Sequence, residues 1–81
     1  MDKKLFFEDL SYSLEKRVNA YEPNATVKYD LNLSSLYVVF PPERRLISCY
    51  LLEDIRKAGG EISVGYYCDH MEVTVHVLYC E

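Results

Sequence analysis

The chain has 81 residues, 49% of them apolar and 27% charged; this is the composition of one ordinary globular domain and excludes disordered, collagen-like and low-complexity readings. Thirteen acidic against nine basic residues give a net charge of −4, a field that repels a phosphate backbone and disfavours direct nucleic-acid binding. The opening residues alternate apolar positions with Lys3, Lys4, Glu8, Asp9 and Glu15, a pattern of neither a signal peptide nor a membrane span, so a cytoplasmic home is expected.

A first helix is predicted from about Lys3 to Ala20. Phe7, Leu10, Leu14, Val18 and Tyr21 recur at steps of three and four and form one apolar stripe flanked by Phe6, while Lys4, Glu8, Ser11, Glu15 and Asn19 occupy the other side. Asp2 suits the N-cap. Glu22-Pro23-Asn24 ends the helix, because a residue before proline is pushed out of the helical region.

A hairpin is expected next, with strands over residues 25–33 and 36–41 and a turn at Ser34-Ser35, a pair poorly suited to a type I′ turn, so that a loop longer than two residues is the alternative. That register pairs Leu33 with Leu36, Leu31 with Val38 and Tyr29 with Phe40 on one face; Thr26, Lys28, Asp30 and Asn32 share the other with Tyr37 and Val39. Pro41-Pro42 is read as the opening of a second helix, since proline is tolerated in a first helical turn. This helix would run through Ile47, Leu51, Ile55 and Ala58 and stop at Gly59-Gly60.

The last hairpin, residues 62–80, has the clearest alternation in the chain. A turn at Asp69-His70 sets Ile62 opposite Val77, Val64 opposite Val75, Tyr66 opposite Val73 and Cys68 opposite Met71, with Glu61, Ser63, Gly65 and Tyr67 facing the same way as Glu72, Thr74, His76 and Leu78.

The order is therefore αββαββ across residues 1–81 as a single α+β domain. Short, right-handed connections place the fourth strand between the second and third, giving an antiparallel-type mixed sheet in the order 3-4-2-1 with both helices on one face. This is a ferredoxin-like two-layer sandwich whose first strand has moved to the end of the chain. The helices are expected on the face carrying Tyr29, Val38, Val64, Val75 and Val77.

Such a sheet keeps one face uncovered. Its central strip would carry Tyr37, Val39, Thr74, His76 and Leu78 with Tyr67 and Glu72 beside them, which is more apolar than a solvated face requires and marks a contact surface for a protein partner or a second copy. His76, Glu72 and Tyr67 form the one grouping with acid-base potential. Four residues apart on a strand, His76 and Glu72 are about 13 Å from each other, and Ser63 opposite His76 lacks a third orienting group. No catalytic, cofactor-binding or metal-ligating constellation is read. His70 is expected as a solvated turn residue.

Cys49, Cys68 and Cys80 show no Cys-x-x-Cys spacing and an odd count, so free, mostly buried thiols in a reducing compartment are expected. Gly59-Gly60 follows a helix and lacks the Lys-Ser/Thr of a phosphate loop. Glu43-Arg44-Arg45 would put two cations at the positive end of the second helix, a local basic patch open to an acidic partner. Aromatics on a four-stranded sheet suit base stacking, but the glycine-aromatic motif of RNA-recognition domains is absent.

The sequence thus points to a small regulatory binding module acting by surface occupation, a homodimer through the open sheet face or an edge strand, of the kind found among accessory proteins of phages and mobile elements. The rival reading is an enzyme or small-ligand domain whose site forms between subunits.

Overall fold

The computed structural model describes residues 2–58 and 60–79. Helix α1 spans Lys3–Asn19, and Asp2 caps it by accepting from the Lys4 N–H at 3.0 Å. Phe7, Leu14 and Val18 are buried on its inner stripe, while Tyr21, past the helix end, is 46% exposed and donates through its hydroxyl to Asp54 at 2.9 Å. The turn that leaves α1 is held by Asn19, whose side-chain amide donates to the carbonyls of Glu22 and Ala25.

Strands β1 (Thr26–Asp30) and β2 (Ser35–Val39) pair antiparallel, with Tyr29 opposite Leu36 and Val27 opposite Val38. The expected Ser34-Ser35 turn is corrected to a four-residue loop over 31–34. Asp30 closes it by accepting from the N–H groups of Asn32 and Leu33, and Ser34 takes a φ of 50°. At the turn β1 ends three residues before the expected Leu33 and β2 begins one residue before the expected Leu36, so Tyr29 meets Leu36 rather than Phe40, a shift of four in partner. An even shift leaves the faces unchanged.

The second helix is shorter than its apolar spacing suggests. Helix α2 covers only Cys49–Arg56, started by Ser48, whose hydroxyl accepts from the Leu51 N–H. Residues 41–48 form a turn and irregular chain instead, and Arg44 and Arg45 stand outside any helix. Both arginines are anchored. Arg44 donates from Nε to Glu22 at 2.9 Å and from Nη2 to the Tyr21 carbonyl; Arg45 donates to the Tyr67 and Cys68 carbonyls at 3.1 and 2.9 Å. The expected Gly59 stop lies outside the described residues. Gly60, with φ of 139°, begins the next strand where a Cβ would sit 2.5 Å from the His76 carbonyl oxygen.

Strands β3 (Gly60–Tyr66) and β4 (Met71–Val77) pair with Ile62 opposite Val75, Val64 opposite Val73 and Tyr66 opposite Met71. Here the register shifts by two from the expected one, because the loop takes residues 67–70 and closes through the Tyr67 N–H on the His70 carbonyl at 2.8 Å. Cys68 is in that loop rather than opposite Met71.

The sheet order is β1-β2-β4-β3, the expected order read from the other edge. Every neighbouring pair is antiparallel, so the sheet is not mixed; β2 and β3 run the same way but are kept apart by β4. One core results. Phe7 and Leu14 from α1, Leu51 and Ile55 from α2, and Leu36, Val38, Met71, Val73 and Val75 from the sheet are each at most 1% exposed. Among the described residues, no helix is long and apolar enough to cross a membrane.

Candidate interaction site

With both helices on one side, the other side of the sheet carries three cross-strand rows: Asp30, Ser35, His76 and Glu61; Lys28, Tyr37, Thr74 and Ser63; and Thr26, Val39, Glu72 and Gly65. Alternation along each strand is what divides them from the buried Leu36, Val38, Val73 and Val75. Tyr37, Val39 and Thr74 are half-buried in the two central strands, and His76 is exposed. Leu78 follows the end of β4 and is 86% exposed.

Tyr67 leaves the strand but returns to this face. A Cβ on Gly65 would meet its ring at 3.3 Å, so the phenol lies over the glycine where another side chain would collide. Ser35 is buried beside His76: its hydroxyl donates to the Leu33 carbonyl at 3.1 Å and meets His76 Nδ1 at 3.3 Å.

The expected grouping of His76 with Glu72 and Tyr67 is corrected. Tyr67 and Glu72 gather around His70 instead: the two rings stack with centroids 4.9 Å apart, Nε2 approaches Glu72 Oε1 at 3.4 Å and Nδ1 approaches Asp69 Oδ1 at 2.7 Å. The hydrogen bond to Asp69, assisted by Glu72, raises the His70 pKa above its ordinary value, and Asp69 is lowered in turn by His70. His70 is thus a partly buried anchor of the β3–β4 loop rather than a solvated turn residue. Its contacts are two carboxylates and a stacked phenol, an arrangement that favours the protonated ring.

A second apolar surface escaped the sequence reading. Because α2 has only eight residues, it covers Ile62 but leaves Val64 37% and Tyr66 64% exposed on the helix side of β3, while Leu46 and Tyr50 stand 80% and 75% exposed before and within α2. Periodicity assigned Val64 to the covered face correctly; only the helix length shows that its cover is incomplete. Cys49 and Cys68 are free and exposed, correcting the expectation of mostly buried thiols, and Cys80 lies outside the described residues. The supposed basic patch is spent on internal contacts, with Arg44 holding the nearly buried Glu22 carboxyl below its ordinary pKa. Among the described residues, no group of three or more His, Cys, Asp or Glu side chains could hold a metal ion.

No protein-family model, curated protein or solved structure matches this chain.

Proposed function

We propose that this protein is a cytoplasmic binding module, not an enzyme, that works by occupying the surface of a partner polypeptide with the open face of its sheet. The observation that carries this reading is that Tyr37 and Val39 occupy the middle of an uncovered sheet, with Tyr67 exposed over Gly65 in the row of Val39 and Leu78 exposed past the end of β4. Covering such a patch gains about 25 cal/mol for each Å² of apolar area removed from water. Lys28, Asp30, Glu61 and Glu72 supply a polar rim of both signs. Free thiols at Cys49 and Cys68 support a reducing compartment. The αββαββ order with β4 between β2 and β3 supports reading the fold as a permuted ferredoxin-like sandwich.

Capture from an extract of the native host, by wild type and by the double variant Val39→Asp/Leu78→Asp, tests the reading. A polypeptide held by wild type and lost by a variant with unchanged circular dichroism is the expected result; the same set on both contradicts it. Leu78→Asp alone repeats the test if Val39→Asp, beside Glu72, loosens the strand.

A further inference from the structure

The two edges of the sheet are finished differently. The Tyr67 N–H to His70 carbonyl bond fixes which β3 residues turn their peptide groups toward β4. Since hydrogen-bonded and non-bonded pairs alternate in an antiparallel ladder, Glu61, Ser63 and Gly65 bond to β4, and Ile62, Val64 and Tyr66 direct N–H and C=O outward. The Val77 N–H to Ser34 carbonyl bond fixes the other edge in the same way: Thr26, Lys28 and Asp30 bond to β2, and Val27 and Tyr29 point outward. On β1 the outward Val27 N–H is already taken by the Glu15 carboxylate at 3.1 Å. On β3, among the described residues, no side chain hydrogen-bonds the outward main chain of Ile62, Val64 or Tyr66. This seven-residue edge has no proline or lysine, the usual guards against strand addition.

We propose that β3 pairs with β3 of a second copy of this chain, antiparallel about a two-fold axis at Ser63, to form a continuous eight-stranded sheet. The occupant is argued from the strand's own self-complementarity. About Ser63 the sequence Gly60-Glu61-Ile62-Ser63-Val64-Gly65-Tyr66 sets every large side chain against a small or matching one. Ile62 meets Val64 of the second copy in a hydrogen-bonded pair on the helix side, where both are otherwise incompletely covered, and Tyr66 meets Gly60. On the open side Glu61 meets Gly65. The Tyr67 ring lies over that glycine with its hydroxyl 3.5 Å from the Cβ position, placed to donate to the incoming Glu61 carboxylate. The two Glu61 carboxylates, the one charge on each strand, sit at opposite ends of the pairing. The edge shares Tyr67 and Glu61 with the margin of the open face but none of the central strip of Tyr37 and Val39, so the dimer does not depend on the function proposed above.

Light scattering on the full chain reads the mass directly: wild type is expected at twice its 9.5 kDa. Val64→Pro removes an outward N–H and spares the ladder to β4, so it should keep its circular dichroism and fall to the monomer mass. The register is read independently by Ser63→Cys in a background with Cys49, Cys68 and Cys80 changed to serine. Paired across the axis at a non-bonded position, these residues have Cα atoms about 4.5 Å apart, within disulfide range, so mild oxidation gives a covalent dimer; Lys28→Cys on β1 in the same background stays monomeric. A monomeric wild type, a Val64→Pro variant that stays dimeric, or equal cross-linking of Ser63→Cys and Lys28→Cys overturns the proposal. So does a wild-type dimer that Val39→Asp/Leu78→Asp dissociates while Val64→Pro does not. If Val64→Pro unfolds, the cross-linking result decides.

Discussion

The His70 ring lies flat against Tyr67, the planes only 15° apart, and so joins the β3–β4 loop to the open face through Glu72. Its folded pKa is raised above the ordinary 6.5, so its stabilisation is fully present below that value and is lost as pH rises through the folded pKa. Asp69 is depressed from 3.8, and its contribution is lost as pH falls through its folded value. The pair therefore stabilises most between those two ordinary values, with Arg45 adding a favourable charge near Asp69. We predict that the difference in thermal midpoint between wild type and His70→Gln is largest in this window and shrinks toward alkaline pH. A difference that does not vary with pH contradicts it.

Arg44 and Glu22 clamp residues 41–48 to the end of α1. Glu22 is lowered from 4.5 by Arg44, so its contribution is present above that value and is lost as pH falls through the folded pKa. Arg44→Met should unfold at lower urea concentration than wild type at neutral pH, with the gap narrowing in acid. Equal midpoints at neutral pH would show that the ion pair contributes nothing.

Val75 is fully buried on a central strand between Leu36 and Ile62. Val75→Ala is expected to cost about 2 to 4 kcal/mol in denaturant unfolding. Leu78→Ala, on an 86% exposed side chain, should stay within about 0.5 kcal/mol. Similar losses at both would mean the two faces are wrongly assigned.

Much of this division was legible because strand alternation survives an even register error, four in the first hairpin and two in the second. The pairs Leu31–Val38 and Ile62–Val77 are not the ones formed, yet each residue but those in the loops keeps its face. What alternation could not reveal was loop length, since the Asp30 side chain and the Tyr67–His70 bond complete turns that no dipeptide advertises. The start of α2 was misread for a related reason: Ile47 continues the apolar spacing of Leu51 and Ile55 one turn too early, while Ser48 supplies the cap. The His70 cluster and the anchoring of Arg45 join residues through the folded loop, and no sequence period reports them.

Exposure predicts thiol chemistry as well. Alkylation of the native protein without denaturant should modify both Cys49 and Cys68. Labelling that waits for unfolding would contradict their positions.

Two apolar surfaces compete for the role of contact face, and side-chain footprinting by hydroxyl radicals on the captured complex separates them. Binding through the open sheet face predicts reduced oxidation of Tyr37, Tyr67 and Leu78 relative to the free protein, with Leu46 and Tyr50 unchanged. Protection of Leu46 and Tyr50 with Tyr37 and Leu78 still fully reactive would contradict it and move the contact to the helix side.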